Sequence, residues 1–247
     1  MSAFVFADSG SGQVVIPNFG GGGENSCVRR NPAFCWDWFS SHWDSVFRPA
    51  LTQHITLTLI AVGIGMVISI AIALLAHRYH WIEPPFTAFS ALLYTIPSLA
   101  LFQLLVPITG LSRTTVEIAL VSYTLLILFR NTMTGLSEVP DEVREAARGM
   151  GLTPWQILWK VELPLAVPAI IAGLRIATVT VISLATVAAF VVNEGLGAPI
   201  FAALQTSFNT EFIAAGVLAI ALALVADGLL LGVQHLVTPW ARTRRAT

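Results

Sequence analysis

Long uncharged stretches alternate with short polar ones along this chain, and the uncharged stretches set its architecture. Ile55 to Ala76 carries no charge, is rich in Ile, Leu, Val and Ala, and exceeds the roughly 20 apolar residues that a bilayer crossing needs. A second stretch, Phe86 to Pro107, follows the Glu83-Pro84-Pro85 turn; Pro97 removes one backbone donor from it, which predicts a kinked span. Thr114 to Met133 is the third, with Glu117 near one end and Arg130 near the other, where both charges can snorkel outward. Ala166 to Phe190, with Arg175 inside it, and Phe212 to Leu236, with Asp227 inside it, complete five. No segment of about ten residues alternates apolar with polar as a membrane β-strand would. The fold class is therefore all-α, a polytopic membrane bundle of about five transmembrane helices.

Composition agrees with a lipid bilayer as solvent. Of 247 residues, 55% are hydrophobic and 11% charged, against roughly 25% charged in soluble domains. The 13 basic and 14 acidic side chains nearly cancel, so no basic surface points to nucleic acid. Basic residues favour the cytoplasmic side of short flanking segments. With the N terminus outside, the inward-facing segments and adjoining helix ends carry Arg78, Arg130, Arg144, Arg148, Lys160, Arg175, Arg242, Arg244 and Arg245, against Arg29, Arg30, Arg48 and Arg113 on the other side. That asymmetry predicts the N terminus outside and the C terminus inside.

Residues 1–50 lack the basic start and continuous apolar core of a cleavable signal and are expected to form an extracytoplasmic tail. Its Gly20 to Gly23 run is expected to be flexible, while Trp36, Trp38, Phe39, Trp43 and Phe47 suit an amphipathic segment at headgroup level. Cys27 and Cys35, the only cysteines, both sit in this tail, where a disulfide and two free thiols are equal readings. No metal site is expected from them, and the histidines at 42, 54, 77, 80 and 235 form no ligand cluster. Residues 51–240 make the transmembrane domain and 241–247 a short cytoplasmic tail.

The polar interval 138–164 carries the most information. Pro140 and Asp141 suit a first helical turn, where proline lacks only an unneeded donor and carboxylates meet the positive end of the helix dipole. Ala146 and Ala147 lack bulk, so a second surface can approach closely, and Gly149 and Gly151 allow a sharp exit. Thr153 is a credible N-cap with Pro154 at the first helical position. A second helix follows, with Trp155, Ile157, Leu158 and Val161 as its apolar surface, and Pro164 is expected to end it. Two short charged helices joined by a small-residue knuckle and projecting from a membrane bundle have the shape of a docking element.

At these residues the chain resembles a known family. Glu145-Ala146-Ala147, Gly151, and then Val161-Glu162-Leu163-Pro164 are similar to the EAA loop of binding-protein-dependent ABC importer permeases, with Val161 departing from the usual isoleucine. Tyr94 to Leu101, Leu128 to Thr132 and Gly195 to Ile200 narrow the likeness to the glycine betaine/carnitine/choline/proline permeases of osmoprotectant uptake, over about residues 50 to 240. The resemblance implies a type I importer permease (MetI-like) fold. It also implies two ABC ATPase subunits holding ATP and Mg, a second permease subunit, the same or homologous, and an extracellular solute-binding protein. The chain has no Gly-x-x-x-x-Gly-Lys-Ser/Thr phosphate loop and so is expected to bind no nucleotide itself and to catalyse nothing.

On that reading Glu145 makes polar contacts with the ATPase, Ala146 and Ala147 allow close packing, Gly149 and Gly151 shape the turn, and Leu163 and Pro164 close the loop. A quaternary ammonium is best met by aromatic faces, so Tyr94, Phe102, Tyr123 and Phe190 are pathway candidates beside their plainer role in packing. Gly195 and Gly197 begin either a re-entrant gate or an ordinary outer turn. Asp227, a carboxylate inside a span, suits either a structural pair or a proton path; the latter would make the protein an ion-coupled secondary transporter. An amino acid or another small solute is the alternative cargo. A membrane-embedded enzyme would need a nucleophile and base or a metal set, and neither is present.

Overall fold

The computed structural model describes residues 26–240; the Gly20 to Gly23 run, the rest of residues 1–25 and the expected cytoplasmic tail lie outside the described residues. Two short helices come first, α1 (Ser26–Arg30) and α2 (Trp36–Ser41), and then a π-helical turn, Trp43–Phe47, leads into α3 (Arg48–Arg78). After a 3-10 turn come α4 (Glu83–Thr95) and α5 (Ser98–Thr109), then α6 (Arg113–Ser137), α7 (Asp141–Gly149) and α8 (Pro154–Ile157). A π-helical segment, Leu158–Glu162, joins α8 to α9 (Leu163–Val187), and α10 (Gly197–Thr206) and α11 (Asn209–Val237) complete the described chain. There is no strand among the described residues.

Among the described residues four helical stretches are long and apolar enough to cross a membrane, and the bent α4–α5 pair, a broken span or a re-entrant loop, brings the number to as many as five. The expected kink at Pro97 is a near right angle. Helices α4 and α5 meet at 101°, each too short to cross alone. The missing proline donor and the extended Ile96 interrupt the ladder there, and the Tyr123 hydroxyl donates to the stranded Ile96 carbonyl.

Helix α6 is the axis of the bundle, packed against α9 and α3. One core cluster gathers Leu57, Ala61, Phe102, Val116, Leu120, Tyr123 and Val181 from α3, α5, α6 and α9. In lipid, where apolar area gives helices no reason to associate, small residues hold them together by letting backbones approach. At Gly135 of α6 an added Cβ would stand 2.9 Å from the Ala166 carbonyl oxygen of α9 and 2.9 Å from the Ala169 Cβ. At Gly65 of α3 it would overlap Thr124 of α6.

The aromatic segment packs on protein instead of lying alone at the headgroups. Phe47 is buried against Ala214 and Ala215 of α11, with Trp38, Phe39 and Trp43 around it. Trp38 meets Phe208 edge-on at 4.7 Å. Asn31 fixes the chain before it: its Nδ2 donates to Ser207 O at 2.8 Å, and its Oδ1 accepts from Asn209 N at 2.9 Å. Cys27 and Cys35 are joined as a disulfide, with Cα atoms 6.1 Å apart.

Close helix approach at Gly135 yields a direct test. Gly135→Leu is expected to destabilise the bundle by about 1–3 kcal/mol through overpacking, read as a lowered thermal midpoint in detergent. Gly63→Leu, at an exposed position where an added Cβ meets nothing within 4 Å, should leave that midpoint unchanged or slightly raised.

Candidate coupling site

The knuckle between α7 and α8 forms because each of its ends is capped. Asp141 and Glu142 occupy the first turn of α7 and Arg148 the last, matching both ends of the dipole. At its C terminus Gly151 N donates to Arg148 O at 2.9 Å and Leu152 N to Ala147 O at 3.2 Å. This pair of bonds requires a left-handed residue, and Gly151 supplies it at φ +81. Thr153 then caps α8 in a reciprocal box: Gln156 N donates to Thr153 Oγ1 at 3.4 Å and Thr153 N to Gln156 Oε1 at 2.9 Å, satisfying two orphan donors at once.

Pro164 does not end the second helix. Residues 154–190 run as one helical stretch, and Pro164 lies in the first turn of α9. The reason is the π-helical segment before it, where Leu163 N donates to Leu158 O, five residues back. That widened turn gives room to a ring that has no N–H to contribute. The knuckle is thus continuous with a membrane span.

One carboxylate ties the knuckle to the bundle. Glu162, 6% exposed, accepts from Arg144 Nε at 2.7 Å on one oxygen and from His77 Nε2 at 2.9 Å on the other. Arg144 also donates from Nη1 to Asp141 Oδ1 at 3.0 Å and from Nη2 to Leu136 O at 2.8 Å. Partial burial works against the arginine's charge, but its hydrogen bonds to Glu162 and Asp141 outweigh that and raise its pKa above the ordinary arginine value. Four elements, α3, α6, α7 and the approach to α9, therefore meet on two side chains. Sequence reading missed both Arg144 and His77; the signal was a charged residue one turn from Asp141, and a histidine at the end of an apolar run.

The structure separates the knuckle residues by direction. Glu145, Ala146, Gly149 and Gly151 face outward, as do Met150 at 74% exposure and Trp155 at 67%. Ala147 is 1% exposed, so its methyl group is covered by the chain itself and is not open to a second surface. Leu163 and Pro164 are half-buried at the start of the span. Exposed apolar side chains therefore stand beside small residues on a well-capped element, the combination that marks candidate interaction surfaces.

The aromatic pathway candidates divide in the same way. Phe102 is fully enclosed and Tyr123 is buried with its hydroxyl on Ile96, so neither offers a ring face to solute. Tyr94 and Phe190 are exposed, the first edge-on to Tyr123 at 5.9 Å and the second edge-on to Phe201 at 5.3 Å.

Gly195 and Gly197 lead into α10, too short to cross the membrane, and this corner is pinned from α3. Gly195 N donates to Gln53 Oε1 at 3.0 Å, Leu196 N donates to His54 Nδ1 at 3.2 Å, and His54 Nε2 lies 3.0 Å from Ile182 O. Acceptance at Nδ1 makes the buried ring a neutral imidazole with its hydrogen on Nε2. Arg175 pairs with Asp227, Nε to Oδ1 and Nη2 to Oδ2, both at 2.8 Å, which engages both carboxylate oxygens in the structural pair that is one of the two readings of Asp227.

An apolar helical bundle thus carries a capped, charged knuckle locked to one end. The chain belongs to the family of binding-protein-dependent transport system inner membrane components, whose model matches residues 65–239. It is 37% identical to the osmoprotectant import permease protein OsmW of Salmonella typhimurium over 76% of this chain and 89% of that protein. It is 33% identical to the glycine betaine/carnitine/choline transport system permease protein OpuCB of Bacillus subtilis over 76% of this chain and 86% of that one. Its fold matches a permease chain of the MetNI methionine ABC transporter, solved facing inward, with TM-score 0.69 and 22% identity over 80% of this chain and 98% of that one.

Removing the shared carboxylate tests the lock. Glu162→Leu is expected to cost about 1.5–3 kcal/mol, the worth of hydrogen bonds to charged groups. Amide hydrogen exchange should rise across residues 141–149 and stay unchanged in α10; equal protection of the knuckle in both proteins would remove Glu162 from this role.

Proposed function

We propose that this chain is one of two permease subunits of an ATP-driven importer and carries an osmoprotectant, such as glycine betaine, choline, carnitine or proline, by alternating access. The family and the relatives named for osmoprotectants support the cargo. The observation that supports the mechanism is the Arg144–Glu162–His77 lock, which makes the knuckle and the spans one rigid piece.

In this reading two ABC ATPase subunits, holding ATP and Mg, receive Glu145, Ala146 and the turn at Gly151 in a groove, with Met150 and Trp155 beside them. The second permease is the same chain or a homologue, and an extracellular binding protein delivers the solute. The α7 end faces the cytoplasm, with the N terminus outside and the C terminus inside. ATP drives the cycle only through the different affinities of its bound states for the two permease arrangements, so a slack joint between knuckle and span would waste it. Arg144 and Glu162 remove that slack.

Gly151→Asp is expected to leave membrane insertion intact, because the glycine lies outside the bundle, but to strain the left-handed turn and uncouple ATP hydrolysis from uptake. Glycine betaine accumulation in vesicles should fall at least tenfold while ATP hydrolysis persists; unchanged accumulation sinks the docking role. Glu145→Cys should react with an impermeant maleimide only from the cytoplasmic side, and labelling from outside overturns the orientation.

A further inference from the structure

The ion pair between Arg175 and Asp227 is placed where a purely structural pair has little reason to be. Arg175 stands at the middle of α9 and Asp227 on α11, and both atoms of each fork are engaged at 2.8 Å. Yet the side chains remain 26% and 37% exposed. They line a groove of about 530 Å³ whose other walls include Ile176, Val179, Ala223 and Leu224, a volume within the roughly 300–1,000 Å³ of small-molecule clefts. Two of the bundle's other polar side chains, His54 and Glu162, are by contrast buried. Acyl chains offer an open charged pair neither hydrogen bonds nor countercharge, so charges at this depth face protein or water.

We propose that this groove lies on the translocation pathway and that the pair is a transient site for zwitterionic solutes carrying a carboxylate and an alkylated ammonium. The proposal deepens the importer reading and rests on it. The arginine's planar fork, already holding a carboxylate in two-point contact, exchanges Asp227 for the carboxylate of the solute. Asp227, released, faces the ammonium, which needs countercharge and cannot accept a hydrogen bond. Ile176, Val179 and Ala223 receive its alkyl groups. Charge stays balanced throughout, since one ion pair becomes two. Breaking the internal pair keeps the site weak, as a pathway that must let its cargo go requires.

Two measurements on the assembled complex in vesicles decide the matter. Ile176→Cys is expected to react with a water-soluble maleimide. Millimolar glycine betaine, carnitine or proline should slow that reaction severalfold, choline, a cation without a carboxylate, should not, and the protection should vanish when Arg175→Met is added. Failure of all three zwitterions to protect, or protection by choline as strong as theirs, overturns the proposal whatever the uptake assay gives. The paired change Arg175→Met with Asp227→Leu replaces the charges by apolar groups of similar volume, which a structural pair tolerates. The thermal midpoint should hold within a few degrees while glycine betaine uptake falls at least tenfold; full uptake in this variant likewise overturns the site. Absence of ATP-dependent uptake by the unaltered complex would refute the importer reading instead, and leaves the labelling result to judge the groove by itself.

Discussion

A single buried carboxylate, that of Glu162, holds the two halves of this protein's work together. Burying it is costly unless both oxygens are engaged, and they are engaged by residues from opposite directions, Arg144 from the knuckle and His77 from the end of α3. Arg144 spends its remaining donors on Asp141 and on the Leu136 carbonyl at the end of α6. A displacement of α7 therefore cannot be absorbed by loop rearrangement; it loads the ends of two spans and the start of a third. Capping at Gly151 and Thr153 serves the same end, since a frayed knuckle would bend before it pulled.

The opposite end of the bundle is held by different chemistry. There the neutral ring of His54 and the amide of Gln53 grip the backbone at Gly195 and Leu196, and Asn31 clasps the turn between α10 and α11. Between the two ends, the spans meet through glycines whose neighbours leave no room for a Cβ. Rigid ends and closely seated helices favour movement of whole elements over local deformation, which is the kind of change that switches a pathway between two faces.

Much of this was legible in the residues. Apolar run length placed the spans, and proline, glycine and threonine in the interval 138–164 placed α7, the turn and the α8 cap, because these are local effects of backbone chemistry. Pro164 misled because its consequence depends on the turn before it: the π-helical segment that accommodates the ring has no sequence mark of its own. The right angle at Pro97 was underread as a kink, since the Tyr123 hydroxyl that stabilises the break comes from another helix. Long-range polar partners were the main loss. Arg175 with Asp227 and Glu162 with His77 are joined across 52 and 85 residues, and no spacing rule connects such positions. Phe102 and Tyr123 looked like solute contacts because residue type says nothing about which way a ring points.

The wide turn at Leu158–Glu162 has a geometrical corollary. A helix advances about 100° per residue, so the additional residue in that turn sets the azimuth of everything after it relative to everything before. It is what lets Trp155 look away from the bundle while Glu162 looks into it, along one unbroken rod. Shortening the rod by one residue there would preserve every hydrophobic stretch and every cap, yet would swing the shaft out of phase with its own handle.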